Sequence, residues 1–344
     1  MKKTASILLA ITLCFTTMTA CSKKDTSQST EANSILSNQE NTVQQQKHYP
    51  LTLSIYDDEG NQIQQTIEKE PKRIVVIGQG FAEWMIGFGE EKRIVGLAYL
   101  DQSFSEYEDQ IKKLPIITDM WPSKESILEL KPDLIISMSS AFQKDRLGTI
   151  SFWNERGIPV LTGINYTIGR TIDSFYDDIN NLGNVLNIED KTNAFVNEQK
   201  DKISNIQSMA AQVEDKPKVL LLGTSKDTTY YYGPTLCLID EMIERAGGEY
   251  VKVSEETYVE MSEESILSVN PDMIIITGFQ ESDSEALISK YLLNAKLKNA
   301  AAIKNGNVKI VAYTTAVRGS LGLSDLYMDV AEFIHPELFK GESA

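Results

Sequence analysis

Histidine is the scarcest chemical resource of this 344-residue chain, with only His48 and His335. Histidine-rich metal centres and histidine-dependent triads are hard to build from two imidazoles far apart in sequence. Cysteine is almost as rare: Cys14, Cys21 and Cys237. The first falls in the export leader and the second at its cleavage site, so Cys237 stands alone in the folded body and no disulfide framework can form. Basic residues are also in the minority, 33 Lys and Arg against 49 Asp and Glu, for a formal charge of −16. Nucleic-acid binding needs a basic face, and this balance excludes it. Neither an HExxH nor a GxSxG signature occurs, which removes familiar routes to a surface hydrolase. No catalytic residue and no metal-ligand set is assigned.

The leader is informative. Lys2 and Lys3 precede an apolar run from Ile7 to Phe15. That run is too short to span a bilayer and reads as a cleaved export signal over residues 1–20. Met18-Thr19-Ala20-Cys21 resembles a bacterial lipobox, with methionine where leucine is commoner. The likeness implies cleavage before Cys21 and acylation of its thiol, for example with palmitate; the alternative is a plain secretory signal. Each buried methylene of an acyl chain adds about 0.8 kcal/mol to membrane anchoring. Residues 21–49 are polar and read as a disordered tether, with His48 solvated at its end.

What the chain has is a repeat. Ser123 to Ser137 read SKESILELKPDLIIS, and Ser262 to Ile276 read SEESILSVNPDMIII. Each copy predicts a short helix, a proline stop at Pro132 or Pro271, and a buried strand. Ser123 and Ser262 suit the N-cap, and Glu125 and Glu264 complement the dipole of the first turn. A second match pairs Pro71–Gly78 (PKRIVVIG) with Pro217–Gly223 (PKVLLLG), at similar spacing from the first. The pattern predicts an N-terminal α/β lobe over 50–170, a helical segment over 171–215 and a C-terminal α/β lobe over 216–344. Chance likeness between βα units is the alternative. Apolar residues at Ala194, Phe195, Ile203, Ile206 and Met209 predict a long amphipathic helix from about Glu189.

Other elements follow in order. A hairpin over Leu51–Ile67 turns at Asp57–Asn61. Strands are expected at Ile74–Ile77, Ile94–Leu97, near Ile116, and at Leu134–Ile136, Pro159–Leu161, Glu249–Val253, Met273–Ile276 and Val308–Val311. Helices are expected at Ala82–Gly87, at Pro234–Ala246 with Cys237 packed in the core, and at Ser324–Phe333.

In an α/β sheet, ligands meet the loops at the carboxyl ends of strands. Those loops here carry aromatics, hydroxyls and one arginine, a lining suited to a large, partly apolar, hydrogen-bonding ligand. Phe81, Tyr99, Trp121, Ser139 and Tyr166 are the candidates on the first lobe, and Tyr231, Tyr313 and Arg318 on the second. Gly78-Gln79-Gly80 invites a dinucleotide reading, but Glu83 stands where the third glycine belongs and would repel a pyrophosphate.

These stretches, together with LKNAAAIKNGNVKIV and the HPELF ending, resemble the substrate-binding lipoproteins of iron–siderophore, haem and cobalamin uptake, over Leu51 to Phe339. The resemblance implies two Rossmann-like lobes joined by a single long helix, a shallow cleft between them and little domain motion. It implies an ABC permease and its ATPase as partners, a lipid anchor on the extracytoplasmic face, and a monomer. By position, it implies that Glu125 and Glu264 pair with permease arginines. The implied cargo is a small-molecule chelate, expected to be an Fe(III)–siderophore, with no covalent cofactor. Haem-binding relatives use His, Met or Tyr on the iron. Neither histidine lies in a cleft loop, which leaves Met120, Met138 or Tyr313. Catecholate sites use several basic residues; here Arg318 is placed, and Lys144 or Arg146 lie near. The lean is toward a less anionic hydroxamate, with haem and corrinoid as alternatives.

Overall fold

Both repeats close on themselves in space. A computed structural model describes residues 48–101, 104–226, 228–256, 258–281 and 283–339. The expected signal peptide, Cys21 and nearly all of the expected tether lie outside the described residues. Strands β1 (Leu51–Tyr56) and β2 (Gln62–Ile67) form an antiparallel hairpin. Five parallel strands follow: β3 (Ile74–Ile77), β4 (Ile94–Ala98), β5 (Ile116–Thr118), β6 (Leu134–Met138) and β7 (Val160–Gly163), in the order β5-β4-β3-β6-β7. Every residue of β3, β6 and β7 is buried, as expected of strands covered on both faces of a parallel sheet.

The second sheet contains β8 (Lys218–Ser225), β9 (Thr228–Tyr232), β10 (Glu249–Tyr250), β11 (Tyr258–Glu260), β12 (Met273–Gly278) and β13 (Val308–Val311). Its order is β11-β9-β8-β12-β13, with β10 beside β8. The two repeated motifs pair with each other in each lobe, β3 with β6 and β8 with β12, both parallel. The repeated aspartates tie these pairs. Asp133 accepts from the backbone N–H groups of Lys72 and Arg73, and Asp272 from that of Lys218. Ser123 and Ser262 cap their helices, each accepting from the amide three residues on at 3.1 Å.

The helix Glu189–Ala210 follows a helix at Ile172–Leu186 and packs against both that helix and the helix Leu323–Ile334 of the second lobe. It thereby joins the lobes: Gln199 accepts from Ser324 N–H at 2.9 Å across the junction. A second tie is polar and buried, with Trp84 Nε1 donating to the Gly319 carbonyl at 3.0 Å.

Three expectations are corrected. The helix drawn over Pro234–Ala246 starts only at Ile239. Before it, Asp240 accepts from Thr235 N–H at 2.5 Å in a turn, where Cys237 is fully buried. The segment around Tyr231, expected as a loop, is the strand β9, antiparallel to β8 and β11. His48 is not simply solvated: its Nε2 donates to the Asn184 carbonyl at 2.7 Å, and Tyr49 donates to that of Val185 at 2.8 Å. The folded body therefore already includes residues 48 and 49, which the expected tether had claimed.

Candidate functional site: an aromatic cleft between the lobes

The loops at the carboxyl ends of both sheets meet in one cleft. Beyond β4 the chain turns through Tyr99 at a positive φ of 60°. Hydrogen bonds from Tyr99 N–H to the Met120 carbonyl and from Gln79 N–H to the Tyr99 carbonyl hold that turn. The Tyr99 ring lies 4.2 Å from Trp121 and 6.2 Å from Phe279 of the other lobe, centroid to centroid. Phe279 in turn lies 5.3 Å from Tyr313. Arg318 enters between the lobes, its guanidinium carbon 5.3 Å from the centroids of both Tyr99 and Tyr313, within cation–π range. Above this floor opens a cavity of about 380 Å³ walled by Tyr99, Tyr230, Tyr232, Tyr258, Phe279 and Tyr313.

Arg318 sits in a π-helical turn, Thr314–Arg318, that ends at Gly319 with φ +90°; a Cβ there would overlap the Phe175 ring. Arg170 of the first lobe donates to the Arg318 carbonyl and to Asp178, the latter at 2.7 Å. On the side-chain end, Arg318 pairs with Asp101 at 3.1 Å, and Thr314 donates to the same carboxylate oxygen at 2.6 Å. Arg318 is 2% exposed and Asp101 0%. Taking two charges out of water is costly, and removing either partner of such a pair leaves the other uncompensated.

Burial raises the pKa of the cleft phenols Tyr166, Tyr232 and Tyr313. With no metal bound they are protonated at neutral pH and offer hydrogen-bond donors. Glu83 lies beneath, accepts from Gln79 Nε2 at 2.9 Å, and is pushed up to about 7 by burial, with the nearby Asp101 adding to the shift. The Thr224 hydroxyl on the cavity wall and Arg318 Nε have no hydrogen-bond partner among the described residues.

Of the expected ligand residues, the structure brings Tyr99, Trp121, Tyr166, Tyr313 and Arg318 together; the Arg318 charge counters part of the upward push that burial gives the Tyr166 phenol. Three lie elsewhere. Phe81 is core, 2% exposed and edge-on to Trp84 at 4.9 Å. Ser139 lines a separate cavity of about 110 Å³ beside Arg170 and Asp178. Tyr231 points away because β9 is a strand: alternate side chains face opposite sides, so Tyr230 and Tyr232 line the cavity and Tyr231 is fully buried. Asp101 was not foreseen. A single aspartate after an apolar strand gives no sequence signal, and its partner lies 217 residues away.

The remaining candidates sit at or beyond the rim. Arg146 is exposed, lies 5.1 Å over the Trp121 ring and donates to the Ser140 carbonyl; Lys144 is exposed nearby. The Met120 sulfur accepts from Gln280 Nε2 at 3.4 Å and Met138 is buried; neither lines the cavity. Glu125 and Glu264 are exposed at their helix starts and have no ion-pair partner among the described residues, whereas Glu263 takes Lys296 at 3.6 Å. A larger groove, about 670 Å³, lies near Arg73, Lys131, Asp133, Arg156 and Pro159. It is at the amino ends of β3, β6 and β7, the wrong end of the sheet for a ligand site of this architecture.

The chain is 26% identical over 342 residues to an uncharacterized ABC transporter substrate-binding lipoprotein of Bacillus subtilis, covering 99% of this chain and 100% of that one. It is 25% identical over 255 residues to a cobalamin-binding protein of Halobacterium salinarum, covering 72% of this chain and 64% of that one. Its fold matches the crystal structure of an ABC-type Fe3+-hydroxamate transport system from Saccharomonospora viridis with a TM-score of 0.67, at 18% identity over 84% of this chain and all of that one. Proteins of this kind capture solutes for transport, and the chain is a binding protein rather than an enzyme. The periplasmic binding protein family model matches residues 74–312, from the first strand of one lobe to the last strand of the other, and the chain belongs to that family.

Proposed function

We propose that this protein captures an iron chelate, a ferric siderophore, in the cleft between its lobes and delivers it to an ABC permease driven by its ATPase. Lipidated Cys21 would hold it on the outer face of the membrane. The observation that carries the reading is the Tyr99–Arg318–Tyr313 stack at the carboxyl ends of both sheets, ringed by phenols that burial keeps protonated. Phenol donors and aromatic faces suit the oxygen-rich shell and apolar bulk of a hydroxamate chelate. The likeness to an Fe3+-hydroxamate transport system in fold supports the same direction.

A corrinoid is the second reading, favoured by the relative named as cobalamin-binding. Exposing the purified protein to ferrichrome, haem and cyanocobalamin, then measuring protein-bound iron and cobalt, separates the two. Stoichiometric iron with ferrichrome supports the first, and cobalt alone replaces it with the second. The exposed Glu125 and Glu264, one per lobe on the ligand face, are the proposed contacts for permease arginines.

A further inference from the structure

The buried charges of the cleft cancel before any ligand arrives. Arg318 is paired with Asp101 at 3.1 Å, and Arg170 with Asp178 at 2.7 Å. Glu83, the third buried acid at this junction, can add only negative charge, since it feels both Asp101 and Arg318 and titrates near neutrality. The cavity wall itself is tyrosine, phenylalanine, threonine, serine and glycine, without an ionised side chain. Arg146, over the outer face of Trp121, is exposed, so water and salt screen it. A polyanionic ligand entering this cleft would lose its hydration and gain no uncompensated buried cation, a strongly unfavourable exchange. An electroneutral ligand loses little and meets the phenols and aromatic faces of the cavity wall.

We infer that Asp101 is a specificity-determining residue: by neutralising Arg318 in advance, it restricts the cleft to electroneutral chelates and turns away polyanionic ones. The inference rests on the reading that the cleft takes a metal chelate. It also explains why an acid is tolerated there. Asp101 belongs to the first lobe and Arg318 to the second, and the Gln280 amide donates to the Asp101 carbonyl at 2.7 Å. The neutralising charge is thus delivered across the lobe junction and fixed in place by the backbone of the opposite lobe.

The test is a titration of the purified protein, followed by tryptophan fluorescence, with two uncharged probes, ferrichrome and cyanocobalamin, and one trianionic probe, ferric enterobactin. The wild-type protein should bind an uncharged probe at least about a hundredfold more tightly than the trianion. Asp101→Asn keeps the shape and exposes the Arg318 charge; it should narrow that ratio at least about tenfold. Asp101→Asn combined with Arg318→Gln removes both charges and should restore the wild-type preference. The wild-type comparison needs no variant to fold. Wild-type preference for ferric enterobactin overturns the inference while leaving chelate capture standing, as does a ratio unmoved in a folded Asp101→Asn protein. Binding of none of the three probes removes the chelate reading and the inference with it.

Discussion

Tyr231 and Tyr232 are chain neighbours that face opposite ways. Tyr232 walls the cleft, 5.5 Å from Tyr258, while Tyr231 is sealed in the core 6.2 Å from Tyr250. Their roles are therefore separable. Tyr258, half exposed at 51%, is the cleanest probe of the wall. Tyr258→Ala should weaken chelate binding by about 1–2 kcal/mol, in the range of a lost aromatic contact, with the melting temperature unchanged. Tyr231→Ala should cost about 3–5 kcal/mol of stability, as for other buried aromatics, in a denaturant titration.

The Asp101–Arg318 pair is buried on both sides. Removing one partner leaves an uncompensated charge, so Asp101→Ala should destabilise by about 3–5 kcal/mol. Arg318→Met combined with Asp101→Ala should recover much of that loss. Chemical denaturation of the two singles and the double variant measures the coupling; additive losses would mean the pair is not the source of the cost.

Glu83 gives the molecule a pH signature. Its carboxyl is held at about 7 by burial, above its ordinary value of 4.5. A folded pKa above the unfolded one favours the protonated fold. This contribution is fully present below about pH 4.5 and is lost as pH rises through about 7. The loss is on the order of 3 kcal/mol at most. Glu83→Gln should flatten that decline and raise the melting temperature near pH 8 relative to the wild type. An unchanged pH profile in the variant would assign the titration elsewhere.

Much of this was legible in the sequence, for physical reasons that can be named. The repeat placed β3, β6, β8 and β12 because fully buried parallel strands leave continuous apolar runs, and the serine caps and Pro-Asp stops frame them. The long helix began where its apolar spacing began, at Glu189. The cleft loops were legible as aromatic-rich, which found Tyr99, Trp121, Tyr166, Tyr313 and Arg318. Tyr231 was misplaced because a Thr-Thr-Tyr-Tyr-Tyr run shows no polar alternation to reveal that it is a strand buried on one side. Phe279, Tyr232 and Tyr258 are aromatics like the residues chosen over them, and nothing in the sequence ranks them lower. Asp101 was illegible, since its meaning comes from a partner in the other lobe that only the tertiary fold brings near.

Glu125 and Glu264 test the transport half of the account. Both stand exposed in the first turn of their helices. As dipole partners each is worth about 0.3–1 kcal/mol. As docking residues they should matter far more to transport than to folding. Glu125→Ala with Glu264→Ala should abolish chelate uptake by cells while chelate affinity and melting temperature hardly change. Normal uptake by the double variant would leave the carboxylates as helix-capping charges alone.

The central claim is that an iron chelate sits between the lobes, on the Tyr99–Arg318–Tyr313 stack. Anomalous diffraction at the iron edge, from crystals grown with ferrichrome, locates the metal without assumptions about its ligands. The account predicts a single iron peak in the 380 Å³ cavity, its chelate in contact with Tyr99, Tyr258 and Tyr313. An iron peak in the groove beside Arg73 and Arg156 at the opposite end of the first sheet, or crystals with no iron after saturation, would contradict it.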